Sequence, residues 1–462
     1  MTDKRWRWMY GAVPLLGLAF ILWYILAATC DAAYSDYIRQ ILSYLPDVWN
    51  PEKFFVPDIL TRIPINFPVR AFNVSVLGFS VTFDLILGGL GLGLAGAVVG
   101  AYCRRRQVGP VWFLFLMFLF FSLNKWEMLT NGTGWVHFLA FACFYYHYLV
   151  LDRVESGEEK RGDELRLRIL PFVITLAVAG PYCAVYSGVL LLAYGFLAAV
   201  NHKKTGRWDK RYGWRALCVL IPLLLYMVSN SMAVYEHTGA YTGPLLPVLL
   251  EQPGMFVKFF IKSFGGMVME KETLEFGVNM GYFPYALVYL MGGAVMAAYL
   301  IALWLNLKYR LYERTIFPLI LIAAGGMNHV LILLSRWIFL RDDYGMSARY
   351  ALQFQVGILG IILTCALLWK EIRSTALKVL VICWCLMMTA GNGFTDYREM
   401  KTAPGRKAWG ETVQEMAAHL DDCTDEELIY QFQYGSADKI RQAMKILKDN
   451  HLNMYRQAGG RP

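Results

Sequence analysis

Three carboxylates in this chain lie where they could take part in chemistry. Asp31 and Asp36 follow the first long apolar stretch and stand among tyrosines, and Glu127 directly follows another apolar stretch. A positioned carboxylate can accept or donate a proton during catalysis. The two aspartates could instead only cap or solvate the ends of helices, which is a common role for a carboxylate in a loop.

Three arginines lie within one fourteen-residue segment, at Arg336, Arg341 and Arg349. The guanidinium group is always charged, and its planar fork matches the oxygens of a phosphate. Tyr350 follows the last arginine. The segment could bind a phosphate or pyrophosphate group, or it could anchor the chain at a membrane surface while Asp342 and Asp343 neutralise the arginines.

Two lysines, Lys258 and Lys262, are four residues apart in an amphipathic stretch. Residues at this spacing share one face of a helix. They could meet a lipid phosphate, or their side chains could extend to the lipid headgroups without a specific partner.

Long apolar stretches must position these residues. Hydrophobic residues make up 57% of the chain, and about 20 such residues in a helix cross a bilayer. Eleven membrane-spanning helices are predicted, near 9–29, 83–103, 108–123, 135–151, 169–185, 187–200, 213–231, 283–305, 316–340, 351–369 and 378–391. The stretch 169–200 is the weakest, because two spans must share it around Gly180-Pro181, and it could be a re-entrant hairpin instead.

Basic residues predict the orientation of these spans. With a cytoplasmic N-terminus, the inside segments hold 23 Lys and Arg, whereas the outside loops hold 11. Cytoplasmic loops carry the excess of basic residues. We therefore predict a multi-pass protein of the plasma (inner) membrane with its C-terminus outside. The net charge of +9 is then mostly a signal for topology and predicts no nucleic-acid partner.

The remaining segments divide the chain into a transmembrane domain, 1–391, and an exported, partly helical tail, 392–462. The outer loop 30–82 carries both aspartates. Segments 36–46 and 254–263 are too short to cross, so we predict helices that lie along the membrane surface. In the tail, Thr424 to Glu427 fits a capping box, and Ser436 precedes an amphipathic helix.

The positions of these motifs resemble the polytopic GT-C glycosyltransferases. The shared features are an Asp-bearing loop after the first span, Trp126-Glu127 outside the third span, and Arg349-Tyr350 at the start of a late span. The resemblance implies an all-α membrane fold with interfacial helices in the outer loops. It also implies transfer of a sugar from a polyprenyl-linked donor to a glycan or lipid acceptor at the outer face, with inversion at the anomeric carbon.

The resemblance also implies roles for the candidate residues. Asp36 would be the catalytic base, with Asp31 second and Glu127 a further acidic candidate. Arg349 and Arg341 would hold the phosphate of the donor. The other substrate-binding candidates are Arg336, Tyr350, Lys258 and Lys262. No cofactor and no metal ligand set are predicted, and a need for a divalent metal stays open.

Two other functions fit the same pattern. A flippase or transporter of lipid-linked sugars would also have many spans, although such proteins commonly carry ionisable residues in mid-span. A polysaccharide polymerase or ligase would share the arginine-rich outer loops. The glycines of Gly88-Gly-Leu-Gly-Leu-Gly93 resemble a nucleotide-binding loop, but within an apolar span they predict close helix packing.

Overall fold

The computed structural model describes residues 6–55, 63–231 and 240–456. Regular structure in these residues is helical, and they contain no β-strand. The first ten α-helices are α1 (Met9–Ala28), α2 (Asp36–Tyr44), α3 (Asn66–Leu77), α4 (Val81–Arg106), α5 (Pro110–Phe120), α6 (Trp126–Thr130), α7 (Trp135–Glu155), α8 (Asp163–Val173), α9 (Cys183–Thr205) and α10 (Lys210–Ser231). The others are α11 (Leu245–Glu251), α12 (Pro253–Gly265), α13 (Lys271–Asn279), α14 (Leu287–Lys308), α15 (Phe317–Arg336), α16 (Ala351–Leu368), α17 (Thr375–Ala418), α18 (Asp425–Phe432) and α19 (Ala437–Asp449).

Ten helical segments in the described residues are long and apolar enough to cross a membrane, one fewer than predicted. The difference lies in the predicted span 169–185, which the structure divides between two helices. Helix α8 continues as a π-helix only to Val178, and α9 begins at Cys183. Gly180 has a positive φ of 52°, and Pro181 has no N–H for a helical hydrogen bond, so the helix ends between these spans.

Loops that were predicted to share one side of the membrane do contact one another. Arg106 pairs with Glu158, Lys204 with Glu313, and Arg314 with Glu371. We call this the basic end of the bundle, formed by the loops at 104–110, 152–166, 201–215, 306–317 and 370–374. The opposite end carries the cavity described below, and we call it the cavity end.

Glycines in α4 allow two other helices to approach closely. A Cβ on Gly91 would lie 3.0 Å from the backbone nitrogen of Leu139 in α7, and one on Gly89 would lie 2.9 Å from Leu22 in α1. The glycine-rich stretch therefore packs helices together, as predicted, because small residues bring backbones within van der Waals contact.

Helix α17 joins the bundle to the tail without a break. It has 44 residues, which corresponds to a length of about 66 Å. The predicted last span and the predicted start of the tail, at residue 392, both lie within this single helix. A hydrocarbon core of about 30 Å accommodates only part of it, so its second half extends beyond the crossing segment.

Helix α2 forms where the sequence predicts a helix along the membrane surface, but protein covers its apolar face. Ile38 and Ile41 are fully buried, and α19 packs against α2. The buried face of α19 consists of Ile440, Ala443, Met444 and Leu447. Two amphipathic helices have thus paired their apolar faces, which removes both from solvent and lipid.

The end of the tail fastens it to the first loop. The side chain of Asn453 accepts a hydrogen bond from the N–H of Ala33 at 3.1 Å and donates to the carbonyl of Phe79 at 2.9 Å. The predicted caps of the tail are present, with a capping box at Thr424 and an N-cap at Ser436. The tail is therefore docked on the cavity end.

Candidate functional site

A cavity of about 660 Å³ opens where the first loop, α6, the segment before α16, the second half of α17 and the tail meet. Its charged lining residues are Glu127, Glu272, Arg349, Arg398, Lys401 and Arg406. Its large aromatic lining residues are Tyr34, Tyr37, Trp126 and Trp409. Four cations and two carboxylates make the lining favourable for an anionic ligand, and the aromatic rings offer surfaces on which an apolar ring face can stack.

Glu127 is the carboxylate that is most firmly positioned in this cavity. Its Oε1 accepts hydrogen bonds from the guanidinium of Arg349, with Nε at 2.8 Å, and its Oε2 accepts one from the hydroxyl of Ser347 at 2.8 Å. Each carboxylate oxygen has two lone pairs. Glu127 can therefore keep these bonds and still accept a proton from a ligand.

A break between α5 and α6 brings Glu127 to the cavity. The Nζ of the fully buried Lys125 donates to the carbonyls of Phe120 and Ser122, each at 2.9 Å. Asp396 of α17 accepts from the N–H of Leu123 at 2.6 Å. These bonds satisfy backbone groups that the break would leave unpaired, which is a condition for irregular backbone inside a helical bundle.

Asp36 does not line the cavity but contacts a residue that does. Its Oδ2 accepts from Asn131 at 3.0 Å, and Asn131 lines the cavity whereas Asp36 does not. The neighbouring Tyr37 donates to the buried carboxylate of Asp84 at 3.0 Å. Gly132 makes room for this tyrosine, because a Cβ there would collide with the Tyr37 hydroxyl. Burial, with Asp84 nearby, raises the pKa of Tyr37 well above its ordinary value.

Asp31 is engaged at the start of a helix. Its Oδ1 accepts from the N–H groups of Val81 and Thr82, at 2.6 and 3.1 Å. These are the first N–H groups of α4, which have no partner within the helix. The capping role considered for this aspartate is therefore present in the structure.

Helix α17 contributes a cationic wall that the sequence analysis did not select. The guanidinium of Arg406 lies 3.3 Å from the ring centroid of Trp126 and binds both oxygens of the buried Glu399. Tyr24 donates to Glu399 at 3.1 Å. Because Glu399 fixes Arg406 and Arg406 stacks on Trp126, this chain of contacts holds the residue next to Glu127 in place.

Arg398 joins the same wall to the start of α13. It donates to Glu270 at 3.2 Å, and Glu270 also accepts from the N–H groups of Glu272 and Thr273. Burial raises the pKa of Glu270 above its ordinary value, although the hydrogen bonds from Thr273 and from the backbone act to lower it. Glu272, which lines the cavity, pairs with Arg406 at 3.2 Å.

The remaining arginine candidates lie away from the cavity lining. Arg341 binds both oxygens of Asp343, and Arg336 donates to the hydroxyl of the buried Tyr350 at 2.8 Å. Burial raises the pKa of Asp343, but bonds from Arg341 and Lys271 outweigh it and lower that pKa to about 2. These arginines therefore have protein partners outside the cavity.

The two lysine candidates do not act as a pair. Lys258 is exposed, whereas Lys262 is buried and donates to Asp342 at 2.8 Å. Helix α12 packs against α14, where a Cβ on Gly265 would lie 2.7 Å from the carbonyl oxygen of Val288. This close packing buries the C-terminal half of α12, which includes Lys262.

The structure thus brings Glu127 and Arg349 into one site, with Asp36 behind Asn131. Sequence reasoning missed Arg398, Lys401, Arg406 and Trp409 because it ended the last span at 391. A signal was available, since positions 398, 402, 405 and 409 recur at helical spacing and would show one face of a longer helix.

In the part of the chain that the structure describes, no three His, Cys, Asp or Glu side chains are grouped as a metal site requires. Comparison of the chain with protein-family models, curated proteins and solved structures finds no match. The functional assignment therefore depends on the chemistry of the cavity.

Proposed function

We propose that this protein is a membrane glycosyltransferase with a GT-C-like arrangement. It would move a sugar from a polyprenyl phosphate or pyrophosphate donor to a glycan or lipid acceptor of the cell envelope. One observation carries the proposal. A cavity at one end of a bundle that contains ten long apolar helices combines a fixed carboxylate, Glu127, with four cations and four large aromatic rings.

Each part of the lining has a use in this reaction. An acceptor hydroxyl attacks the anomeric carbon of the sugar, and a carboxylate takes the hydroxyl proton as the new C–O bond forms. The bond between the anomeric carbon and the phosphate oxygen breaks, and the polyprenyl phosphate leaves with the bonding electrons. The configuration of the anomeric carbon is inverted. Fixed cations stabilise the charge that develops on the leaving phosphate.

Glu127 is the best base in this proposal, and Asp36 becomes a supporting residue. Glu127 lines the cavity, whereas Asp36 reaches it only through Asn131. Arg349 holds Glu127 through its Nε and faces the same space, so it would serve as the first cation to meet the donor phosphate. Asp31 is engaged at the start of α4 and has a structural role here.

The lipid part of the donor explains the position of the site. A polyprenyl chain stays in the bilayer, so its phosphate must lie near the end of the crossing helices. Arg349 lies at such a point, two residues before the start of α16 at Ala351. We propose that the cavity end faces outward from the plasma membrane and the basic end faces the cytoplasm, as the distribution of Lys and Arg predicts.

A transfer assay tests the role of Glu127. The purified protein in lipid vesicles is given a labelled polyprenyl-phosphate sugar and an acceptor extract from envelope. Glu127→Gln keeps the size of the side chain but removes its basic oxygen, so we expect transfer to fall by about 10²-fold. Arg349→Ala is expected to weaken both donor binding and turnover, because the phosphate is present in the ground state and the transition state.

Glu275→Gln is the matched control. Glu275 is a half-exposed glutamate on α13 that pairs with Lys271 and does not line the cavity. Its variant should transfer at the native rate. Near-native transfer by Glu127→Gln would contradict the proposed base. Movement of unmodified donor across the vesicle membrane would favour the transporter, and growth of a long polymer from the lipid carrier would favour the polymerase.

A further inference from the structure

The second half of α17 carries a stripe of cavity residues to which the proposed reaction gives no individual role. Lys401, Gly405 and Trp409 are four residues apart, and all three line the cavity. Residues at this spacing follow one side of a helix. From 401 to 409 the stripe is about 12 Å long, which suits an extended ligand better than a single phosphate group.

Lys401 is the cation of the lining that has no carboxylate of its own. Arg349, Arg398 and Arg406 each pair with a glutamate, whereas within the described residues no carboxylate lies within 4.0 Å of the Lys401 ammonium. Its ammonium lies over the ring of Tyr397, 5.8 Å from the centroid. An ammonium group without a paired anion in a cavity is available to bind an anionic group of a ligand.

Gly405 leaves the middle of the stripe open. A Cβ at this position would have no heavy atom within 4 Å. Glycine is unfavourable inside a helix by about 1 kcal/mol relative to alanine, so its presence in an exposed helix interior is useful where a ligand approaches the backbone. The open backbone offers room for the flat side of a sugar ring.

Trp409 is fixed at the far end of the stripe. Its Nε1–H donates to the carbonyl of Gln431 at 3.0 Å, and the side chain of Gln431 donates back to the carbonyl of Trp409 at 3.1 Å. Tyr430 packs against the indole with a centroid distance of 5.2 Å. A fixed indole provides a binding surface without losing side-chain freedom on binding.

The direction of α17 relates this stripe to the reaction. The helix passes the bundle end near Asp396, which binds the backbone of Leu123, and then runs toward the tail. A polyprenyl donor must keep its phosphate near the bundle end. A ligand along 401–409 therefore extends away from the crossing helices, as a water-soluble glycan would.

We propose that Lys401, Gly405 and Trp409 form a subsite for an anionic glycan, which would be the acceptor of the transfer reaction. Lys401 binds the carboxylate or phosphate of one sugar unit, and Gly405 and Trp409 hold the ring that follows. The name acceptor rests on the proposed function, whereas binding of the glycan does not, so binding is measured without donor.

The experiment compares three probes on the full chain in lipid nanodiscs. They are a hexuronic acid trisaccharide, a neutral hexose trisaccharide, and a glycerol phosphate trimer, each titrated by calorimetry. Lys401→Gln should weaken binding of the anionic probes by roughly tenfold. The neutral probe should bind the native protein more weakly and should not respond to this variant. Stronger binding of the hexuronate or of the phosphate trimer identifies the anion as carboxylate or phosphate.

Gly405→Leu should abolish binding of all the probes that bind the native protein, because it fills the open space while improving helix propensity. Lys407→Gln and Gly293→Leu are matched controls, since neither residue lines the cavity and Gly293 also has open space around its Cα. Both controls should bind as the native protein does.

Native affinity for the anionic probes in Lys401→Gln and Gly405→Leu, or no binding by the native protein, would overturn the subsite. Loss of binding in the controls as well would also overturn it. These outcomes differ from failure of the proposed function, in which the native protein binds the anionic probe but transfers no sugar from a polyprenyl donor.

Discussion

A carboxylate at each end of the bundle pairs with arginine, but the two carboxylates serve different purposes. At the basic end, Asp152 is fully buried, accepts from the backbone of Ile316 and Phe317 and the hydroxyl of Thr315, and pairs with Arg105 and Arg106. At the cavity end, Glu127 binds Arg349 and Ser347 and still faces open space. Because Asp152 is fully paired, its role is structural. Glu127 has an open side and can therefore react with a ligand.

Two buried carboxylates outside the crossing segments, Asp163 and Glu270, differ in the direction of their pKa shifts. Burial would raise the pKa of Asp163 at the basic end, but bonds from Arg153, Arg166 and the Lys160 N–H lower it to about 2. At the cavity end, burial dominates and raises the pKa of Glu270. Charged partners therefore outweigh burial at Asp163 but not at Glu270.

The largest expected effect is on stability and comes from the basic end. Asp152→Ala removes the buried anion that two arginines share and uncaps the start of α15. We expect a loss of about 3–5 kcal/mol, the usual result of removing one partner of a buried ion pair. Thermal unfolding in detergent, followed by circular dichroism, measures it.

Glu158→Ala is the control for Asp152, because Glu158 contacts the same two arginines but its side chain is 46% exposed. A loss below about 1 kcal/mol is expected there. Equal melting temperatures for the two variants would remove the proposed distinction between a structural end and a reactive end.

The next effect is the acid sensitivity of the basic end. The folded-state pKa of Asp163 is about 2 and its ordinary value is 3.8. A lowered pKa contributes stability above the ordinary value, and this contribution is lost as the pH falls toward 2. Asp163→Asn should therefore remove about 2 kcal/mol at neutral pH and flatten the fall in melting temperature between pH 4 and pH 2.

Asp422→Asn provides a comparison for this pH profile, because the Asp422 side chain is 83% exposed. Its profile should match that of the native protein. The contribution of Glu270 to stability should change with pH in the opposite direction. Its pKa is raised in the folded protein, so its contribution is present at low pH and is lost as the pH rises through that folded-state pKa. If the melting temperature of Asp163→Asn falls with pH as that of the native protein does, another group controls the acid sensitivity of the basic end.

The smallest effect is expected at Asp36. An asparagine there keeps an oxygen that can accept from Asn131, and the side chain does not line the cavity. Transfer by Asp36→Asn should stay within about threefold of native, whereas Asn131→Ala should disturb it more because Asn131 also caps the turn before α7. A fall of about 10²-fold in transfer by Asp36→Asn would instead identify Asp36 as the base.

Some of the fold follows from short stretches of sequence. Apolar runs of sufficient length identified most crossing helices, and the caps at Thr424 and Ser436 were correct. The predicted span 169–185 is not among the ten long apolar helices, because Gly180 and Pro181 end the helix within it.

The site was harder to predict from the sequence, because its residues come from distant parts of the chain. Glu127 and Arg349 were both selected, but their contact spans more than 200 residues, and nothing local distinguishes Glu127 from Asp36 as the carboxylate that faces the cavity. Arg398, Lys401 and Arg406 were missed because α17 continues as a helix where its hydropathy falls.

Hydropathy, helix caps and the alternation of basic loops are properties of neighbouring residues, so the amino-acid order alone specifies a helical membrane bundle with two chemically different ends. Tertiary packing decides which groups are free to react. Asp31 binds the start of α4, and α19 covers the apolar face of α2. Contacts from the segment before α16, and from α17 to the break before α6, hold Glu127 at the open space. These outcomes depend on which helices meet, because a side chain's partners, and not its type, determine whether it stabilises the fold or faces a ligand.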